Sequence, residues 1–304
     1  MHGWIIIDKP LGPGSTQVVS AVKRALRHGG YGKFKVGHGG TLDPLATGVL
    51  PIAVGEATKL AGRMLDSDKV YDFTIRFGEQ TDTLDAEGVV IATSPVRPTP
   101  EAVAAVLPRF TGPIAQVPPI YSALKVDGER AYDLARAGEA VELKSRDVVI
   151  HALTIEAAAA DGPLDEATLV AHVSKGTYIR SLARDIALAL GTVGHVVMLR
   201  RVKAGPFGLE PAITLDKLAG LGQSRALEGI LLPLRAGLDD IPAFPLTPDQ
   251  AGALRQGRVL AGIAATDGAA FAMLDDVPVA LVDVTAGEVR VVRGFNLTMS
   301  KEDT

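Results

Sequence analysis

Residues 37–48 read Gly37-His38-Gly39-Gly40-Thr41-Leu42-Asp43-Pro44-Leu45-Ala46-Thr47-Gly48. Glycines, a proline and two threonines give this backbone little chance of regular structure. Its one carboxylate, Asp43, lies among the apolar Leu42, Leu45 and Val49. A carboxylate so placed is either a cap for backbone N–H groups or a group that attacks carbon or takes a proton, and the spacing leaves both open. A second segment is Ser174-Lys175-Gly176-Thr177-Tyr178-Ile179-Arg180-Ser181-Leu182-Ala183-Arg184. Here a strand gives way to a glycine turn and an amphipathic helix striped by Ile179, Leu182, Ala183, Ile186 and Leu190. Free N–H groups at the helix start, with Lys175 beside them, suit a phosphate or carboxylate, and an ordinary helix start with surface arginines has the same pattern.

Common machineries are excluded one by one. The only lysine followed by Ser or Thr is Lys144, preceded by Leu143, so there is no P-loop, and Leu42 stands where a dinucleotide fingerprint after Gly37-His38-Gly39 needs glycine. No serine has the flanking glycines of a nucleophile elbow. There are no cysteines and the six histidines are scattered, so no metal site is expected from spacing. Asp82, Asp85 and Glu87 form an acidic loop without calcium-loop spacing, which reads as a solvated turn.

Net charge is −4, yet residues 1–42 hold Lys9, Lys23, Arg24, Arg27, Lys33 and Lys35 against Asp8 alone. Residues 175–205 hold Lys175, Arg180, Arg184, Arg200, Arg201 and Lys203 against Asp185 alone. These segments form either two solvated faces or, if the fold joins them, one phosphate-binding face in an otherwise acidic chain. The apolar run Trp4–Ile7 is too short for a signal peptide's core, and no segment sustains the roughly 18 apolar residues of a membrane-spanning helix. A soluble, cytoplasmic protein without membrane contact is expected.

The elements that must position these residues alternate irregularly. Strands are predicted at Ile5–Asp8, Val49–Val54, Lys69–Phe77, Ser122–Val126, Val148–Ile155, Thr168–Ser174 and His195–Val202. In Lys69–Phe77, Tyr71, Phe73, Ile75 and Phe77 alternate with polar neighbours, as in a half-buried strand. Helices are predicted from Ser15 to about Arg27, and at Glu56–Leu65, Pro100–Phe110, Glu129–Ala137 and Tyr178–Leu190. The pattern implies an α+β fold with a mixed, largely antiparallel central sheet flanked by helices. With 304 residues and 47% hydrophobic content, about two domains are expected. A Pro- and Gly-containing connector over Gly205–Pro248 separates a catalytic part, residues 1–243, from a β-rich module, residues 244–304.

The motif from His38 to Gly48 resembles the catalytic motif of the TruB family of tRNA pseudouridine-55 synthases. The resemblance extends in order through Asp8–Gly12, Gly55–Lys59, Asp66–Tyr71, Thr81–Thr83, Asp85–Gly88, Pro118–Lys125, Lys175–Arg180 and Leu199–Arg201, covering the chain to about residue 205. It implies the pseudouridine synthase fold, a tRNA T-stem-loop as partner, no cofactor, no metal and a monomer. It assigns the catalytic carboxylate to Asp43, its ionic partner to Arg180, base stacking to Tyr71, pocket support to Tyr178, a pocket wall to Leu199 and bracing of the catalytic loop to Lys9. RNA contacts fall to His38, which takes the place of flipped nucleotides, and to Lys175, Arg200 and Arg201. The tail Val291–Asn296 resembles a PUA RNA-binding domain. Gly14 and Gly39 depart from the family, which often has hydroxyl residues there. Two rival classes are a carboxylate-dependent nucleoside hydrolase and a non-catalytic RNA-binding protein, distinguished by release of free uracil and by lack of turnover.

Overall fold

The computed structural model describes residues 1–122, 124–126, 129–130, 143–156 and 162–297. Strand β1 (Gly3–Lys9) is built on a β-branched run whose two faces are both buried. Ile5 and Ile7 enter one hydrophobic cluster, Trp4 and Ile6 another on the opposite side. Helix α1 (Ser15–His28) buries Val18, Val19, Val22, Ala25 and Leu26, the stripe its spacing predicts. Strands β2 (Val36–His38) and β3 (Ala46–Val54) bracket the Asp43 loop.

The single helix expected at Glu56–Leu65 is two pieces, a 3₁₀ stretch over Gly55–Leu60 and α2 (Ala61–Asp66). The Thr58 hydroxyl donates to the Gly55 carbonyl at 2.8 Å, a local bond that competes with α-helical pairing. Strands β4 (Lys69–Phe77), β5 (Glu79–Thr81) and β6 (Val90–Thr93) follow. Helix α3 (Pro100–Val106), capped by Thr99, gives way to a 3₁₀ turn at Leu107–Phe110, where Pro108 lacks an N–H. Next come β7 (Gly112–Gln116), the short pair β8 (Lys125–Val126) and β9 (Glu129–Arg130), β10 (Arg146–Ile155) and β11 (Glu166–Val173). The strand expected over Ser122–Val126 is confined to β8. Of the helix expected at Glu129–Ala137, the first two residues are β9 and the rest lies outside the described residues. Helix α4 (Ile179–Ala189) and β12 (Gly194–Ala204) complete the larger sheet's main strands.

Gly205–Pro248 is folded rather than a bare connector. It carries α5 (Leu215–Gln223), β13 (Leu232–Pro233) and β14 (Ala243–Pro245). Thr214 caps α5, Leu218 is buried, and Gly222 lies so close to α1 that a Cβ would be 2.9 Å from the Ala25 carbonyl oxygen. The local Pro and Gly content concealed this, because the pairing partner is almost two hundred residues away. The sheet order is β13-β1-β3-β12-β4-β11-β10-β7, with β2 paired to β3. All of its pairings are antiparallel except β3 with β12. This is the α+β mixed sheet the sequence implies.

Helix α6 (Pro248–Arg255) and strands β15 (Gly268–Leu274), β16 (Val277–Thr285) and β17 (Glu288–Gly294) form the C-terminal module, ordered β14-β15-β16-β17. Ala270, Ala272, Val282 and Val289 supply its own core, whereas Phe271, Met273 and Phe295 pack into the cluster that holds Trp4 and Phe207. The module is therefore docked on the larger sheet through apolar side chains. Among the described residues no helix is long and apolar enough to cross a membrane.

Candidate active site

The Asp43 loop is fixed from three directions. The Ser15 hydroxyl accepts from Leu42 N at 2.8 Å and lies 3.1 Å from the Leu42 carbonyl. Lys9 Nζ donates to the carbonyls of Pro10 (3.0 Å) and Pro44 (3.3 Å). Arg201 donates to Val49 O at 2.7 Å, Gly40 O at 3.1 Å and Thr41 O at 3.4 Å. At Gly48, with φ +97°, an added Cβ would lie 2.2 Å from the Arg201 carbonyl oxygen, so only glycine permits the parallel pairing of β3 with β12 there. At Gly39 a Cβ would lie 2.6 Å from Met64 Cβ, which gives the departure from the family's hydroxyl residue a packing cause. At Gly14, the N-cap of α1, no atom would crowd an added Cβ.

Arg180, in the first turn of α4, joins the loop to a second segment. Its Nη2 lies 2.8 Å from Asp43 Oδ2 and donates to the Tyr121 carbonyl at 3.0 Å. Its Nη1 donates to Thr83 O at 2.9 Å and lies 3.3 Å from Asp85 Oδ2. A cation at a helix N-terminus faces an unfavourable dipole, which these two carboxylates offset. The Asp43 side chain is 42% exposed and that of Asp85 only 4%. Asp85 also accepts from Thr83 Oγ1 at 2.6 Å and Glu87 N at 3.0 Å. The acidic loop expected as a solvated turn is thus folded inward at Asp85, where Arg180 compensates the buried charge. Burial, then Asp85 and Asp43, raise the Glu87 carboxyl above its ordinary pKa.

A pocket of about 310 Å³ opens over this pair, lined by Asp43, Tyr71, Tyr178, Arg180 and Leu199 together with Lys69 and Arg201. Tyr71 comes from β4 and Leu199 from β12, adjacent strands. Tyr178 N–H donates to Gln116 Oε1 at 2.8 Å, while the Arg146 guanidinium stands 5.8 Å from the Tyr178 ring centroid. Burial raises the Tyr178 phenol's pKa. Lys69 is buried and donates to the carbonyls of Met64, Leu65 and Ser67, closing the end of α2. Burial, then the nearby Arg201 charge, lowers its pKa to about 8. Lys9, also buried, is lowered to about 8 chiefly by burial.

The four residues expected to contact RNA differ in exposure and in what they bind within the chain. His38 is half-buried on β2, with Nδ1 enclosed and unpartnered among the described residues, and burial followed by Arg201 lowers its pKa. Lys175 is exposed and pairs with Asp66 at 3.0 Å. Arg200 makes a two-pronged pair with Asp8 at 3.0 and 2.9 Å. Arg201, 1% exposed, points inward to the loop carbonyls. Its guanidinium binds backbone carbonyls and so braces the loop. Sequence reasoning missed Asp85, Ser15, Lys69 and Gln116. Only Asp85 carried a signal, a carboxylate two residues after Thr83. Among the described residues the one cluster with metal-ligating potential, Asp68 with His151 and His172, is not part of this lining.

The mixed sheet thus carries an arginine-held aspartate in an open pocket, and the comparisons give the class. Residues 26–179 match the TruB family pseudouridylate synthase N-terminal domain and residues 180–239 the tRNA pseudouridylate synthase B C-terminal domain. The chain belongs to the TruB family of pseudouridylate synthases. It is 67% identical over 298 residues to the tRNA pseudouridine synthase B of Novosphingobium aromaticivorans, covering 98% of both chains. It is 60% identical to the protein of that name from Zymomonas mobilis, covering 97% of this chain and 96% of the relative. Among solved structures, the archaeal box H/ACA sRNP Nop10-Cbf5 complex contains a chain with TM-score 0.70 and 26% identity, covering 96% of this chain and 86% of that one. An H/ACA RNP bound to a substrate RNA containing 2'-deoxyuridine shares the fold at TM-score 0.73 and 24% identity, covering 99% and 86%. The fold is that of the pseudouridine synthases.

Proposed function

We propose that this chain converts uridine 55 in the T-loop of tRNA to pseudouridine, with Asp43 as the catalytic carboxylate. One observation carries the reading: Asp43, half-exposed at the pocket, is held by Arg180 between Tyr71, Tyr178 and Leu199. The reaction breaks the N1–C1′ bond, turns the uracil and joins C5 to C1′; the proton leaving C5 balances the one taken up at N1. It needs no redox partner or energy source. Asp43 either attacks C1′ or takes a proton from C2′, and in either role the Arg180 guanidinium at 2.8 Å fixes where the carboxylate points. The uridine must leave its stack to reach this carboxylate, and Tyr71 offers an aromatic face to receive it. Leu199 closes the apolar side, and Lys9, Ser15 and Arg201 hold the loop in register beforehand.

In keeping with the family resemblance, the enzyme acts as a monomer. A tRNA substrate places its work in the cytoplasm. The C-terminal module is a PUA-like RNA-binding domain, a reading supported by its small four-stranded sheet and the Val291–Asn296 segment. The test is tritium release from 5-tritiated uridine in a T-loop transcript. Wild type releases tritium without free uracil, and Asp43→Asn binds RNA but shows no turnover. Free uracil would identify a hydrolase instead, and turnover by Asp43→Asn would remove the carboxylate from the mechanism.

A further inference from the structure

On the outer face of the sheet, His151, His172 and Asp68 converge although they lie far apart in sequence. Strand β11 pairs with both neighbours at this point, placing His172 opposite Val70 of β4 and Ala152 of β10. Along β10, Val148, Ile150 and Leu153 are buried, so the inward alternation slips by one residue between Ile150 and Leu153. A register shift between Ile150 and Ala152 accounts for the slip. It turns His151 and Ala152 both outward, and bulges of this kind re-aim side chains. The His151 ring then stands 4.7 Å from that of His172, at 47°. His151 Nε2 lies 3.1 Å from Asp68 Oδ2, and His172 Nε2 lies 3.8 Å from the same oxygen. The three ligand atoms fall within 4.8 Å of one another, all on partly exposed side chains. Lys175 is engaged by Asp66 at 3.0 Å.

We propose that Asp68, His151 and His172 bind a divalent transition-metal ion, zinc in the first instance, with water completing the coordination. Two imidazole nitrogens and one carboxylate oxygen are a donor set for an ion of borderline softness, whereas calcium and magnesium take oxygen. Bonds of about 2.0–2.1 Å in a tetrahedron hold ligand atoms roughly 3.4 Å apart. The 3.1 and 3.8 Å separations bracket that value, so small side-chain rotations complete the set. An ion here ties the turn ahead of β4 to β10 and β11. That turn leads directly into Lys69 and Tyr71 at the pocket, so the ion acts as a structural staple outside the reacting groups.

The test uses the full chain without a polyhistidine tag, stripped with a chelator and titrated with Zn²⁺ against a competing chromophoric chelator. One equivalent binds wild type, and Mg²⁺ at the same concentration does not displace it. Since losing a residue that merely orients a ligand weakens metal binding by about tenfold or more, His151→Gln, His172→Gln and Asp68→Asn each weaken it at least that much. Zn²⁺ also raises the melting temperature of wild type but not of the His151→Gln/His172→Gln double variant, since a ligand that binds only the folded state stabilises it. Circular dichroism of the metal-free variants establishes that they are folded. Absence of a saturable site in wild type, or an equivalent retained by the folded double variant, overturns the proposal.

Discussion

Arg180 stands between two carboxylates of unlike exposure, with Asp43 at 2.8 Å on the pocket side and Asp85 at 3.3 Å on the buried side. Asp85 therefore aims the guanidinium, and Asp43 receives it. Arg180→Ala is expected to remove most of the rate, and Arg180→Lys to restore part of it, because an ammonium lacks the planar fork. Asp85→Ala leaves a buried guanidinium without its inner partner and is expected to cost about 3–5 kcal/mol in stability. Urea unfolding reads the stability loss and single-turnover tritium release reads the rate. Wild-type values for both in Asp85→Ala would show that the inner pair does not position Arg180.

Tyr71 separates stacking from proton transfer. Tyr71→Phe keeps the ring and is expected to bind RNA while turning over slowly; Tyr71→Leu is expected to lose both. Affinity for a T-stem-loop and single-turnover rate, measured on the same preparations, give the split. A Phe variant as fast as wild type would reduce the role of Tyr71 to its ring face.

Buried lysines give the fold a pH dependence of known sign. Lys69 has a folded pKa near 8 against an ordinary value of 10.5. Between these values the unfolded chain carries the proton and the folded chain does not, so unfolding free energy rises with pH. Below about pH 8 both states are protonated, and the burial penalty is fully present. Wild-type stability relative to Lys69→Met is therefore expected to improve from pH 8 to pH 10 in urea titrations. A flat or falling difference would show that the lysine keeps its charge.

The C-terminal module shares an apolar cluster with the larger sheet. Phe271, Met273 and Phe295 complete the cluster around Trp4, and fully burying each such side chain contributes about 1.5–3 kcal/mol. Their combined loss is large against a typical stability of about 5–15 kcal/mol. Truncation after residue 243 is expected to lower the melting temperature by several degrees or more, while a folded remainder still modifies an isolated T-stem-loop. Replacing Phe271 and Phe295 with serine in the truncation's stead tests the interface alone. An unchanged melting temperature in the truncated chain would mean that the cluster contributes nothing.

The sequence made the strands of the large sheet and the loop of Asp43 legible because each has a local cause. Alternation marks Lys69–Phe77, and Gly and Pro mark residues 37–48. What it concealed depends on distant partners. Asp85 looks solvated until Arg180 folds against it, and Arg201 looks like a surface cation until the Gly40 and Val49 carbonyls surround it. The histidine spacing rule likewise fails across strands, where the β10 bulge brings His151 to His172.

The braces on the Asp43 loop also set when the protein becomes competent during synthesis. Lys9 and Ser15 leave the ribosome before the loop, but Arg180 and Arg201 emerge well over a hundred residues after it. Until β12 slots between β3 and β4 and the helix before it docks, the loop carbonyls that Arg201 gathers are unclaimed and the aspartate lacks its Arg180 partner. Closing such long loops is slow and entropically costly, so these contacts form late. A nascent chain thus carries an unarmed carboxylate, and turnover begins only when the sheet closes around it.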